Sequence, residues 1–284
     1  MKYKPNRRTF LEIAAAATLT CVARKASGAS EAATSGIPHL DLHVHLDNST
    51  IDKVLELSVE RGVKFGIVEH AGTKENVYPV VLSNDAELKQ YLAMLDGKPV
   101  YKGIQAEWTD WMGCFSKEAA LQLDYVLSDA LTFPGPHGER MKLWEKGAEI
   151  GEAHQFMDRY VEWHVEIMDK EPIDILANVS WLPAALATDY DALWTDARIQ
   201  KVIDAALKYQ VALEISSGFE LPKLHFLQMA RDAGVKFTLG SNGRYPKMGR
   251  LVYSLRLAEE LGLSAQHFFT PGESGSKAVQ RRWG

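Results

Sequence analysis

The chain has 284 residues, of which 46% are hydrophobic and 24% are charged, so it can bury a sizeable core and is expected to form one large domain. Its formal net charge of −5 at pH 7 argues against a nucleic-acid partner. The two cysteines, Cys21 and Cys114, fall on opposite sides of a predicted cleavage site, which excludes a disulfide within the mature protein.

The N-terminal residues have the form of an export signal. Arg7 and Arg8 precede an apolar run over residues 10–20, and small residues continue to Ala29. This pattern indicates a twin-arginine signal over residues 1–29, followed by a linker over residues 30–38. Because the run is too short to span a membrane, we expect cleavage, no stable membrane span afterwards, and a location in the periplasm or cell envelope. An uncleaved anchor is the alternative.

From residue 39 onward, short apolar runs alternate with amphipathic stretches, which is typical of a parallel sheet covered by helices. Strands are predicted near 39–45, 64–69, 99–107, 123–128, 173–178, 211–216 and 236–241. Helices are predicted near 50–62, 84–96, 115–121, 151–170, 198–209, 222–233 and 248–262. Seven strand–helix units favour an α/β barrel over residues 39–270, with residues 271–284 as a C-terminal tail.

Polar side chains follow the carboxyl end of nearly every predicted strand, where barrels of this class carry their reactive groups. The first strand ends in Asp41, His43 and His45, which strand alternation places on one face. A right-handed crossover would bring His70 alongside them. The remaining strand ends supply Gln105, Glu107, Asp129, Asn178, Glu214, Asn242 and Arg244. Because neutral imidazole is the commonest protein ligand for zinc and similar metals, the three histidines predict a metal site.

Two connections, residues 129–150 and 179–197, are longer than packing requires and predict a lid over the barrel mouth. Four tryptophans would then bring aromatic faces to the mouth, where a sugar or base could stack: Trp108, Trp111, Trp181 and Trp194. The alternative for each tryptophan is that it packs in the core at the rim.

The strand ends resemble motifs of the PHP (polymerase and histidinol phosphatase) family, and five segments occur in the family's order: residues 41–45, 67–72, 103–107, 211–215 and 239–242. The resemblance implies a distorted seven-stranded TIM-like barrel and up to three divalent metals, usually zinc, manganese or iron, that activate water against a phosphoester. His43, His45 and His70 match ligand positions of the family.

The chain departs from the family pattern at several of the remaining ligand positions. Gln105 stands where the family has a metal-bridging glutamate, Asn178 replaces a histidine, and residues 242–244 (Asn-Gly-Arg) replace an Asp-x-His sequence. These changes lower the negative charge that would hold several dications, so we expect an altered site, with one metal as the simplest case.

Two interpretations of the site follow. In the first, His43, His45 and His70 hold one divalent metal together with a carboxylate such as Glu107 or Asp129, and the carboxylate that is not a ligand serves as general base. In the second, the barrel holds no metal and uses histidine and carboxylate groups alone. In the first interpretation, an anionic or hydroxyl-rich small molecule is bound by four residues, of which the last is also a catalytic candidate: Gln105, Asn178, Asn242 and Arg244.

The leading hypothesis for function is an exported metal-dependent hydrolase. A phosphoester substrate comes first because of the family resemblance. The alternatives are a metal-dependent hydrolase or lyase acting on a sugar-like molecule without phosphate, and a non-catalytic binding protein built on a degenerate barrel.

Overall fold

A computed structural model describes residues 36–47, 49–272 and 275–283. The predicted signal peptide lies outside the described residues, as do residues 30–35 of the predicted linker. Seven parallel strands form a nearly closed barrel, which confirms the α/β, seven-stranded TIM-like fold. In chain order the barrel strands are β1 (Leu40–Val44), β2 (Lys64–Ala71), β3 (Tyr101–Ala106), β4 (Tyr125–Asp129), β5 (Ile175–Ala177), β6 (Ala212–Ser216) and β7 (Phe237–Gly240).

Helices connect the strands along the outside of the barrel. They are α1 (Ile51–Arg61), α2 (Asp85–Leu95), α3 (Lys117–Ala120), α4 (Ala153–Lys170), α5 (Tyr190–Leu193), α6 (Asp196–Tyr209), α7 (Leu224–Ala233), α8 (Val252–Glu260) and α9 (Ala278–Arg282). None of the described helices is long and apolar enough to cross a membrane.

The ends of α1 show how local sequence sets these elements. The Thr50 side chain accepts a hydrogen bond from the Lys53 amide at 3.4 Å, which caps the first turn. Gly62 ends the helix with a left-handed φ of 62°, a conformation that glycine adopts without a Cβ penalty. β2 therefore starts two residues later and pairs with β1 as a parallel neighbour.

The barrel is closed by backbone contacts between the end of β1 and the loop that follows β7. The His45 amide donates to the Gly243 carbonyl and the Gly243 amide donates to the His43 carbonyl, each at 2.9 Å. These bonds bring the first and last strand ends together, so the histidines of β1 lie beside the loop that carries Asn242 and Arg244.

A β-bulge between Asp41 and Val44 changes which residues of β1 face the barrel interior. Leu42 packs in the interior, and the next residue, His43, also reaches inward to Glu214 and Gln105. Asp41 points outward. The prediction that alternation places Asp41 on the same face as the histidines is therefore wrong.

Asp41 instead ties the loop after β7 to the barrel. Its carboxylate accepts from the Ser241 amide at 2.9 Å and from the Gly249 amide at 2.7 Å. This buried carboxylate fixes the two ends of the segment between β7 and α8.

The lower half of the barrel interior is apolar. An interior cluster fills it, consisting of Leu42, Val68, Tyr125, Leu127, Ile175 and Ala177. Tyr125 crosses the barrel and donates to the Leu42 carbonyl at 2.8 Å. The Tyr125 ring lies against Gly66 and Gly103, where a Cβ would overlap it. A larger core lies between the strands and the helices.

Several elements were not predicted. A short strand, Val81–Leu82, pairs with β2, and Thr132–Pro134 forms an antiparallel pair with Arg140–Lys142 inside the first long connection. Helix α9 lies within the predicted tail and packs onto the barrel. Its Ala278 amide donates to Asp174 at 2.6 Å, next to the start of β5.

Candidate metal centre and cavity

The predicted site residues come together at the carboxyl ends of the strands, above the interior cluster. They border a cavity of about 260 Å³. Its lining residues are His70, Tyr78, Gln105, Glu107, Asp129, Leu131, Trp144, Asn178, Trp181, Phe219, Asn242 and Arg244. His43 and His45 are fully buried. The hydrogen bond from His43 to Gln105 places His43 behind this lining.

His43 has a hydrogen-bond partner at each ring nitrogen. Its Nδ1 lies 2.8 Å from Glu214 Oε1 and its Nε2 lies 3.0 Å from Gln105 Oε1. Burial alone would lower the pKa of His43, but the charge of Glu214 and these hydrogen bonds outweigh it, so the pKa is raised. With an acceptor beside each ring nitrogen, the surroundings favour the protonated form of His43.

Glu214 has room beside His43 because residue 240 is a glycine. A Cβ at position 240 would overlap the Glu214 carboxylate. The second carboxylate oxygen of Glu214 accepts from the backbone amide of Asn178 at 2.8 Å. Glu214 is thus a structural partner of His43, whereas Arg244 pairs with Asp47. A metal role for His43 would require one of its two hydrogen bonds to break, and it stays a prediction.

Gln105 joins His43 to the acidic floor of the cavity. Its Nε2 donates to Glu107 Oε1 at 3.0 Å and to Asp129 Oδ2 at 3.2 Å. Two carboxylates accept from the amide nitrogen, which leaves the amide oxygen to face His43. Gln105 therefore acts first as a connector within the site.

Asp129 is the carboxyl group whose proton affinity suits acid–base work. Burial, followed by the charge of Glu107, raises the pKa of Asp129 to about 7. Asn178 donates to the same carboxylate oxygen that Gln105 contacts, at 2.9 Å. Asp129 lines the cavity, so a bound molecule can reach it.

His45 differs from His43 in having no hydrogen-bond partner at either ring nitrogen, although the residue is completely buried. Burial, followed by the neighbouring rings of His70 and His43, holds the pKa of His45 well below its usual range. The ring is therefore neutral at pH 7 and keeps a free lone pair.

His70 stacks on His45 with the ring centroids 4.6 Å apart. Its Nδ1 lies 2.6 Å from Glu107 Oε1, so Nδ1 carries the proton, while the buried Nε2 has no partner. Tyr78 stacks on the other face of His70 and donates to Glu107 Oε2 at 2.8 Å. A carboxylate that holds one ring nitrogen in this way leaves the other nitrogen oriented as a ligand.

Asp47 completes a group of three ligands. Ligand atoms of His45, Asp47 and His70 all lie within 4.8 Å of one another. Asp47 Oδ1 is buried without a partner, while Oδ2 pairs with Arg244 Nε at 2.6 Å. Two imidazoles and a carboxylate fit a zinc, manganese or iron ion. The convergence of unpartnered buried atoms fits such an ion as well, because a buried polar atom without a partner is costly.

Three residues at this mouth share an uncommon backbone conformation. Asp47, Asn178 and Asn242 all have left-handed φ values, of 43°, 51° and 46°. Aspartate and asparagine tolerate this region better than other side chains, and residues held there concentrate at functional sites.

The predicted long connections contribute aromatic walls to the cavity. Trp144 from the first connection and Trp181 from the second line it, together with Phe219. Trp111, in contrast, is fully buried and packs edge-on against Trp283. Of the four tryptophans predicted at the mouth, only Trp181 is among the cavity-lining residues given above. Trp111 and Trp194 are buried in the core, and Trp108 packs against Trp163.

Sequence reasoning missed Asp47 and Tyr78. Asp47 continues the alternation of His43 and His45 by two residues, so its position was a usable signal. Tyr78 lies in the loop after β2, and no sequence pattern distinguishes it. The predicted ligand Glu107 contacts His70 and is not among the three converging ligands.

A scan against models of protein families finds no match for this chain, and a search of curated proteins finds none either.

Proposed function

We propose that this chain is a metal-dependent hydrolase of small molecules with a single divalent ion held by His45, Asp47 and His70. The observation that carries the proposal is the convergence of three sets of buried, unpartnered ligand atoms beside an open cavity. The resemblance to the PHP family motivates it further, with a ligand set that differs from the predicted one by the use of Asp47 in place of His43 and Glu107.

A divalent ion at this position would supply a water of lowered pKa and a Lewis acid for the scissile ester. The other roles belong to the chain. Glu107 holds His70 so that Nε2 faces Asp47, and Tyr78 in turn holds Glu107. Asp129, with its pKa near 7, takes a proton from the attacking water or gives one to the leaving oxygen.

The cavity supports an anionic or hydroxyl-rich substrate. Asn178 and Asn242 present amide groups, and Arg244 is the cationic group among the described lining residues. We propose a phosphoester because Arg244 can pair with phosphate oxygens. The aromatic walls formed by Trp144, Trp181 and Phe219 favour a second candidate, a sugar-like substrate without phosphate, whose ring would stack there.

Metal content and turnover test the proposal together. Mature protein purified without a metal-binding tag should hold about one equivalent of a transition metal by elemental analysis. His45→Ala and His70→Ala should reduce this content to background, and His225→Ala, which removes an exposed histidine on α7, should not. Hydrolysis of a phosphoester panel should disappear with a chelator and in the His70→Ala variant.

Two results would contradict parts of the proposal. Wild-type protein without stoichiometric metal would exclude a metal-dependent hydrolase and favour a non-catalytic binding protein. Full metal content without phosphoester turnover, but with cleavage of a glycoside panel, would exclude the phosphoester and favour the sugar-like substrate.

The predicted export signal would place either activity in the periplasm or envelope, which cell fractionation of the full-length chain checks.

A further inference from the structure

A groove beside the cavity is lined by cations and lacks carboxylates. It occupies about 510 Å³ between the loops that follow β6 and β7. Its lining residues are Ser217, Gly218, Ser241, Asn242, Gly243, Arg244, Tyr245, Lys247 and Arg250. We call it the basic groove. Three cations without an acidic residue are unusual for a chain whose formal net charge is −5, and they create a local positive potential.

Two of these cations have no acidic partner within the described part of the chain. Lys247 and Arg250 are exposed and form no ion pair there. Arg244 pairs with Asp47 through Nε, while its Nη1 donates to the Asn242 side-chain oxygen at 3.0 Å. The positive charge of Lys247 and Arg250 is therefore available to an external anion.

The segment that carries these cations is held in place from both sides. On the side of β1, Asp41 accepts from the Gly249 amide at 2.7 Å. Arg61 of α1 donates to the carbonyls of Pro246, at 2.8 Å, and Met248. A backbone fixed in this way lowers the entropy cost of ordering the cations around a ligand.

The basic groove adjoins the cavity. Asn242 and Arg244 line both spaces, so a molecule that reaches past these two side chains would contact both. The cavity side contains Glu107 and Asp129, whereas the groove side contains Lys247 and Arg250. The lining charge therefore differs in sign between the two spaces.

We propose that the basic groove binds a phosphate group that is not the one hydrolysed, so that the substrate is a small molecule with a phosphate at one end and a cleavable ester at the other. The assignment of the cavity as the reacting end rests on the proposed function. Lysine attracts the phosphate as a point charge, and arginine presents a planar fork to its oxygens. A phosphate dianion on the bound molecule suits a site with several cations better than a carboxylate group would, because it carries two negative charges.

Binding of inorganic phosphate to the full chain, freed of divalent metal, tests the groove independently of turnover. We expect ³¹P NMR titration at low salt to detect binding below about 10 mM phosphate. Lys247→Gln and Arg250→Gln should each weaken it about three- to tenfold, and the double variant should abolish it. Lys89→Gln on α2 and Arg256→Gln on α8 remove exposed cations elsewhere and should leave it unchanged.

The same titration with His45→Ala separates this proposal from the proposed function. Phosphate binding that persists in His45→Ala and is lost in the Lys247→Gln, Arg250→Gln double variant supports the groove, whether or not the protein holds metal. Absence of binding to wild type, or equal binding in the double variant with unchanged circular dichroism, would overturn it. Tighter binding of a single-stranded oligonucleotide that the double variant also loses would overturn the small-molecule assignment.

Discussion

His43 and His45 are two residues apart on one strand end and are equally buried, yet their surroundings differ. His43 contacts Glu214 and Gln105 through its two nitrogens, whereas His45 has no hydrogen-bond partner and stacks on His70. Both ring nitrogens of His43 are thus satisfied within the fold, and His45 offers an unused ligand atom. The difference shows that a histidine motif does not define a metal site until the partners of each ring are known.

The largest expected effect is on the free energy of unfolding, which should differ between substitutions of the two histidines. In metal-free protein, His43→Ala should lower the free energy of unfolding by about 3–5 kcal/mol, because it leaves the buried Glu214 carboxylate without its cation. His45→Ala should cost less, since no hydrogen bond is lost. Urea unfolding of both variants measures this difference.

Metal content of the same two variants gives the complementary measurement. Folded His43→Ala should retain its metal, and His45→Ala should lose it. Equal destabilisation by the two substitutions, or loss of metal in His43→Ala alone, would contradict the contrast between the two rings.

His164, another buried histidine, has one hydrogen bond and no carboxylate partner. Burial lowers the pKa of His164 to about 4, and its Nδ1 lies 2.7 Å from the Tyr160 carbonyl. Because the unfolded value is near 6.5, the stability from this neutral ring is complete above pH 6.5 and is lost as the pH falls towards 4. The loss should reach roughly 3 kcal/mol.

Denaturation of wild type and His164→Leu at pH 7 and pH 4.5 isolates this contribution. The variant should be less stable at both values but should lose less stability on acidification, since other titrating groups are common to both proteins. Parallel losses would show that His164 is not held neutral.

The smallest expected effect concerns how firmly His70 is held for the metal. Glu107→Gln should lower metal affinity about 10- to 100-fold, because the amide fixes the Nδ1 proton of His70 less strongly. Competition with a metal chelator measures the affinity. Asp129→Asn is the matched control, since Asp129 also lies on the cavity floor and does not contact His70. A larger affinity loss in the control would contradict the positioning role of Glu107.

All seven barrel strands lie within three residues of their predicted positions, because apolar runs separated by amphipathic helices are a local signal. The predicted strand ends also identified the residues at the mouth. Local sequence does not indicate the bulge in β1, which occurs where β1 meets β2 and the loop after β7. This bulge decides that Asp41 faces outward and that His43 reaches Glu214.

Partner assignment within the site was equally beyond sequence reasoning. Whether Glu214 pairs with His43 or with Arg244 depends on the space left by Gly240 and on Asp47, which contacts Arg244 instead. These are contacts between residues far apart in the chain. Sequence spacing therefore predicted which side chains share the mouth, and tertiary packing determined which of them remain available to a ligand.

The interior cluster beneath the mouth has an electrostatic consequence. Leu42, Val68, Tyr125 and their neighbours exclude water from below, so the charges of His43, Glu214 and Asp129 are screened by solvent from one side only. A molecule that covers the mouth would remove that remaining solvent. All the hydrogen bonds that join Glu214, His43, Gln105 and Asp129 would then become stronger together. Dissolved salt reaches Lys247 and Arg250 freely but does not reach His43. Higher ionic strength would therefore weaken anion binding in the basic groove and leave the buried contacts of His43 unchanged.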